Sequence, residues 1–511
     1  MTLTVRAYGI LVFLLLFVLI GAWAIATPPY AGPDEPAHVI RADSLIHGEL
    51  LGTSIPGQPD AVVAVHAAEI YTSNAERLGC WPFYPDNTPE CTGEFVGSGR
   101  RVATKTHVGR YNPLYYAIVG IPARFSASST TVYLMRLTGA ALSAGLVALA
   151  ATALLSRPRA SVSLLGLAFA FTPMAAFLGG VVNVSGMEIS GAIALWAGGL
   201  VAADPSTPPN GRGRAIVAAT AGGCALVASR GLSVVFLAAI VGLVLAAVTV
   251  RPRTAMLRDP RVRLGVRIVA AVTLASVAWI LWADSLAFVP LNRVEGTASA
   301  LRLTAGGTDA FTWGMIGLFQ WLDTPAPVVT YYTWVVGVGA LAALGLALAP
   351  RRLRWVLGLA IAATFVVPFL QVPTSASTGL IWGGRYSLPL AAGVPVLAAY
   401  GLSMGSPAII DVVRRLGRLL VVGWGVGFAA AFYWTGHRNA VGASGPVLYL
   451  GRERWNPPVP YSVLTLLVVV SIGGLVIMFL RLLARERGEH DRRPAVEVNV
   501  TRPMVPAEAR R

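Results

Sequence analysis

Apolar blocks of about 15 to 25 residues recur at roughly 8–26, 131–155, 160–178, 184–203, 215–229, 232–250, 266–283, 329–349, 355–371, 387–404, 419–435 and 461–482. Bilayer hydrocarbon has no water to satisfy a free peptide group, so apolar stretches of this size cross it as helices. The pattern predicts an all-α integral membrane protein with about 12 transmembrane helices. Composition agrees: the chain is 55% hydrophobic and 13% charged, with mean hydropathy +0.66, more apolar side chain than one soluble core would use. The net charge of +16 would direct a soluble chain to nucleic acid. Here Lys105 is the only lysine, and the arginines gather between apolar blocks, where they act as topology signals.

With the N-terminus inside, every inside connection carries two or more arginines: Arg157–Arg159, Asp204–Arg214, Arg251–Arg267, Pro350–Arg354, Gly405–Arg418 and the tail from Leu483. Both termini are then cytoplasmic. The first span is read as uncleaved, because Pro-Pro-Tyr follows it rather than a small-residue cleavage site. The loop from Thr27 to Arg110 holds ten acidic residues against six basic ones and is expected outside. Within the polytopic domain 1–482, residues 27–130 form this first extracytoplasmic loop, and 284–328 a second outer loop. Tyr111–Arg124 is apolar but too short to span, and reads as an interfacial or re-entrant helix with Tyr111, Tyr115 and Tyr116 at headgroup depth. Residues 483–511 read as a disordered, basic cytoplasmic tail. Cys80 and Cys91, eleven residues apart in the first loop, are candidates for a disulfide if that loop faces an oxidising compartment.

The stretch Thr27–Arg41, TPPYAGPDEPAHVIR, places two adjacent carboxylates and a histidine just beyond the first span. Pro28-Pro29 stops the helix and Pro36 fits the first turn of a new one. Asp34 suits a helix N-cap and Glu35 suits the helix dipole. The same position suits a general base at the membrane edge, and the two readings are compatible. His38 is either a pH-tuned helper or a packed interfacial histidine.

Arginine in outer loops runs against the positive-inside trend. Arg385, in Trp382-Gly-Gly-Arg-Tyr386, offers a fork of donors for phosphate oxygens where glycine allows close backbone approach. Arg230, in a short turn, and Arg110 would complete a phosphate clamp, headgroup snorkelling being the plainer alternative. Trp321 and Asp323 form an aromatic, acidic edge that suits a sugar ring or a membrane belt. Asn183 and Glu188 mark the outer end of the fourth block, where a carboxylate should face the bundle interior or water, as a site residue or as partner to a basic group.

The chain has no Walker loop, dinucleotide fingerprint, HExxH or Cys/His metal spacing, which removes ATP-driven pumping and zinc proteolysis. No internal repeat suggests a two-halved transporter.

Pro33-Asp-Glu-Pro-Ala-His38 after the first span, Asn112-Pro-Leu-Tyr-Tyr116 closing the first loop, Asn183 and Glu188, Trp321-Leu-Asp323 and Gly384-Arg-Tyr386 come in a characteristic order. Over roughly residues 5–480 this order resembles the predicted multi-span membrane proteins of unknown function grouped with the GT-C glycosyltransferases. The resemblance implies a GT-C-like fold in a bacterial plasma membrane, with short amphipathic helices in the first extracytoplasmic loop, and an extracytoplasmic active site. It also implies inverting transfer of a sugar from a polyprenyl-phosphate donor to a cell-envelope glycan or glycolipid acceptor, with no nucleic-acid partner. By it, Asp34 is the base, and Glu35 supports it or holds a metal. Arg385 and Arg230 face the donor phosphate. Tyr111, Tyr115, Asn183, Glu188, Trp321, Asp323 and Tyr386 line the substrate site. No cofactor is specified; a divalent cation, magnesium or manganese, at Asp34 or Glu35 would fit such chemistry. The alternative is a lipid-linked sugar or phospholipid carrier in which the same arginines bind headgroups and no bond is made.

Overall fold

The structure, a computed structural model, describes residues 4–248, 258–286, 289 and 292–491. Helix α1 (Val5–Ala26) begins where Thr4 accepts a hydrogen bond from the Ala7 amide, and it stops at Thr27, ahead of the proline pair. It packs against α5 (Ser129–Leu154) and the last helix, Tyr461–Asp491. At its end Trp23 meets Phe177, Phe319 and Phe432 with ring centroids 5.3–6.4 Å apart, mostly edge to face. Helix α8 (Val184–Ala203) runs through the middle of the bundle and is buried along almost all of its length. Its partner is α9 (Pro209–Val227). Their backbones touch where glycine faces glycine: a Cβ on Gly222 would stand 2.5 Å from the Gly191 carbonyl oxygen.

Eight helices among the described residues are long and apolar enough to cross a membrane, or nine if a bent pair counts as one. The expected twelve is therefore not reached. Each of the other four apolar blocks is helical but broken, short or diluted. Block 160–178 is α6 (Ala160–Ala170) and α7 (Pro173–Gly179), bent by 68° where Thr172 caps a new helix opened by Pro173. Block 215–229 falls within α9, which Arg212 and Arg214 make more polar, and 232–250 yields the 15-residue α10 (Ser233–Ala247). Block 387–404 splits into Leu388–Ala391 and Gly393–Leu402.

The first loop is not purely helical, which corrects the all-α expectation. Between α2 (Glu35–Ile46) and α4 (Pro113–Val119), the strands β1 (Thr53–Ser54), β2 (Val63–Ala68) and β3 (Arg101–Thr106) form an antiparallel sheet in the order β1-β2-β3, with Val63 opposite Thr106. Val63, Val65 and Ala67 are buried on one face while His66 is exposed, the alternation a half-buried strand requires. The α4 segment and the turn after it keep Leu114, Ile121 and Phe125 exposed, while Tyr115 and Tyr116 are buried within the protein. In the second loop two short helices, Thr297–Gly306 and Thr308–Gly317, precede a two-residue hairpin. The last helix continues to Asp491, so the expected tail is helical over 483–491, and the remainder of it lies outside the described residues.

Cys80 and Cys91 are joined, with Cα atoms 6.1 Å apart. Their loop is clasped from the far end of the chain. Arg438 donates to the carbonyls of Asn87, Trp81 and Tyr84 at 2.5, 3.0 and 2.8 Å.

Candidate active site

Asp34 occupies the N-cap position of α2 but does not cap it. Its backbone is left-handed, with φ 60° and ψ 6°, and its side chain makes no cap hydrogen bond. The carboxylate turns instead to Arg385, whose Nη2 lies 2.9 Å from Oδ2, while His107 Nε2 stands 3.7 Å from Oδ1. The Asp34 side chain keeps 35% of its surface exposed, enough for a substrate to reach it. Burial alone would raise its carboxyl pKa; Arg385 first, and then His107, hold it down to about 2.

Glu35 lies in the opposite environment. It is wholly buried, and Arg136 donates to Oε1 and Oε2 at 2.7 and 2.6 Å. The Val182 and Gly32 amides take further positions on the carboxylate. Arg136 also donates to the carbonyls of Ala24, Thr27 and Pro28, so this pair knots the end of α1 to α5. The support or metal role expected of Glu35 gives way to that knot, because none of its oxygen surface faces the cleft. Among the described residues no three His, Cys, Asp or Glu side chains converge as metal ligands, and the groups beside Asp34 are an arginine and a histidine. The donor set does not fit.

Arg385 is fixed from below. Gly384 presses on the helix Thr308–Gly317, where a Cβ would lie 2.2 Å from the Phe311 carbonyl oxygen. Trp382 is pinned by Gln371 and Ser387. Arg385 Nη2 serves Asp34 and the Tyr386 hydroxyl, each at 2.9 Å, while its buried Nε and Nη1 have no protein partner. Arg230 donates to Ser185 at 2.6 Å and Asn183 at 3.3 Å, and its Nε is likewise buried and unpaired. Both guanidinium carbons lie 5.0 Å from the Tyr386 ring centre, so the phenol is flanked closely by two cations. Burial raises the Tyr386 phenol, but Arg385 and Arg230 more than offset this and bring it below the ordinary value.

His38 is nearly inaccessible, with Nδ1 2.7 Å from the Tyr116 hydroxyl and its ring stacked on Tyr116. Burial pushes it well below the usual imidazole value, so it stays neutral. Tyr111 joins the cluster, its ring 6.3 Å from that of His38. Glu188 accepts from Ser233 at 2.6 Å and balances the charge of Arg230. Asn183 binds the Pro33 carbonyl at 2.7 Å as well as Arg230, so it ties the Asp34 turn to α8.

Four expected residues fall elsewhere. Arg110 pairs with Asp284 and Ser54 at the surface. Asp323 accepts from the Phe83 amide, and Trp321 donates to the Tyr30 carbonyl, so both fasten the first loop rather than face the cleft. Tyr115 packs beneath it. Sequence reasoning did not find Arg136 or His107. An arginine inside an apolar block was signal enough for the first, since a buried charge demands a partner. His107 is one of six histidines in the chain and carries no local signature.

Beyond Arg385 the chain enters Leu388–Ala391, which helps to line an apolar cavity of about 280 Å³ together with Phe169, Met315, Trp334 and Phe365.

Comparison with solved structures finds ArnT from Cupriavidus metallidurans bound to undecaprenyl phosphate, at 14% identity and TM-score 0.44, covering 94% of this chain and 78% of that one. The same protein in the apo state gives 14% identity and TM-score 0.43, over 93% and 76%. No curated protein matches. The model of a family described as predicted membrane protein (DUF2142) matches residues 16–394, well over half of the sequence and all of the segments that build the cleft, and the chain belongs to that family.

Proposed function

We propose that the protein is a GT-C-type membrane glycosyltransferase that moves a sugar, with inversion, from a polyprenyl-phosphate donor to a cell-envelope glycan or lipid acceptor. The cleft would lie on the extracytoplasmic face of a bacterial plasma membrane, with both termini cytoplasmic. The observation that carries this reading is the pair of buried arginines with unpaired donors beside Tyr386, one of them bound to a reachable carboxylate. A phosphate would fill the open donors, and the apolar cavity that Leu388 and Ala391 line a few residues further along the chain suits a lipid tail. In the transition state the departing phosphate gains charge where Arg385 and Arg230 can stabilise it. On the other side, Asp34 accepts a hydrogen bond from the acceptor hydroxyl and directs its deprotonation.

The test is transfer by the purified protein from a radiolabelled polyprenyl-phosphate sugar to envelope acceptors. Asp34→Asn tolerates the left-handed backbone and removes the base, and should lower turnover by about 10²–10⁴-fold. Near wild-type turnover in that variant would refute the role of Asp34.

A further inference from the structure

The glycosyl-transfer reading leaves open where the acceptor proton comes to rest, and the two oxygens of Asp34 divide that question geometrically. Oδ2 faces Arg385 and the phosphate side of the cleft, and Oδ1 faces His107. We propose that His107 is the terminal proton acceptor of the transfer reaction, with Asp34 relaying the proton from the acceptor hydroxyl to His107 Nε2 and then serving as counter-ion to the imidazolium. The proposal rests on the glycosyl-transfer reading.

His107 is held in place by its neighbours. Thr106 is buried, and its hydroxyl donates to the Ala37 carbonyl of α2 at 3.0 Å while accepting from the Val108 amide. Val108 is buried on the other side. The backbone is thereby anchored to the helix that Asp34 begins, and the imidazole emerges beside the carboxylate with 39% of its side chain exposed. That exposure lets a charged imidazolium be solvated, which the buried ring of His38 cannot be. Asp34, from the turn before α2, lies against His107, and His38, from α2, is coupled to both, with Arg385 acting on Asp34 and His38 and Arg230 on His38.

The alternatives are weaker on physical grounds. A carboxylate held at about 2 keeps a proton poorly at neutral pH. Imidazole is the side chain whose free pKa, about 6.5, lies closest to neutrality. In the step, the acceptor O–H bond breaks as oxygen bonds to the anomeric carbon. The bond from that carbon to the phosphate oxygen breaks, and its electron pair leaves with the phosphate. The proton ends on His107 and returns to solvent from its exposed edge.

The experiment measures kcat and KM against pH for wild type, His107→Gln and His107→Ala, with a radiolabelled polyprenyl-phosphate sugar as donor. Wild-type kcat should fall along a limb toward acid pH, because an acceptor that already carries a proton cannot take another. His107→Gln should lose that limb and about 10²-fold in kcat with donor KM unchanged, and added imidazole should restore His107→Ala. A merely structural histidine would not give imidazole rescue. Coincident profiles for wild type and His107→Gln would overturn the proposal and leave the transfer reading intact. So would a wild-type kcat that stays flat from pH 5 to 8, a result that needs no variant to fold. A wild-type protein that transfers no sugar would overturn both together.

Discussion

Asp34 and Glu35 are neighbours in sequence with opposite physical duties. Both oxygens of Glu35 are bound to a fully buried arginine, so Glu35→Gln leaves an uncompensated charge in the bundle. It should cost about 3–5 kcal/mol of stability, visible as a lower Tm in detergent. The Asp34 pair acts through pH. Its carboxyl pKa lies below the unfolded value of about 3.9, so the pairing with Arg385 stabilises the fold above about pH 4, and that contribution is lost as pH falls through about 2. The part of the stability difference between wild type and Asp34→Asn that comes from Arg385 should therefore persist down to about pH 4 and shrink only in stronger acid, as thermal unfolding across pH 2 to 8 would show. Arg385→Lys keeps a charge but not the fork, and should raise donor KM about 10–100-fold, as expected for loss of a charge-assisted hydrogen bond. Asp34, Arg385 and Tyr386 were legible because carboxylate, arginine and glycine stand out at the ends of apolar blocks. His107 was not, because its importance comes from β3 and α2 packing together, a contact no local pattern announces.

Elements were legible where apolarity decides them and not where one or two residues override it. Every apolar block became helix, yet Pro173 broke one and the 384–395 region, with Pro389 and Pro395, divided another, so length in sequence overstated length in space. The sheet had a readable signature in the alternation of Val63 to Ala67, hidden by the expectation that loops of a helical membrane protein are helical. The disulfide element also makes a prediction. Replacing Cys80 and Cys91 by serine frees a short loop worth about 2–3 kcal/mol of local order. Hydrogen exchange over residues 78–97 should rise, while the Asp34 cleft, fastened by Arg136 and Asn183, should keep its protection.

At the scale of the molecule, the arrangement of charge sets orientation. Exposed Gly57 shares the first loop with the cleft, and exposed Ser206 lies in an arginine-bearing connection. In a Cys224→Ser background, Gly57→Cys should react with a membrane-impermeant maleimide on intact cells, and Ser206→Cys only after permeabilisation. The reverse pattern would turn the protein over. The clasp of Arg438 on the disulfide loop joins residues 351 positions apart. At translation rates of about 5–20 residues per second, the loop waits roughly 20–70 s for its partner to be made. Its cysteines, eleven positions apart, can find each other from the outset. The crosslink can thus brace the loop during biogenesis, keeping it compact until Arg438 arrives to lock it, and it goes on holding the loop afterwards.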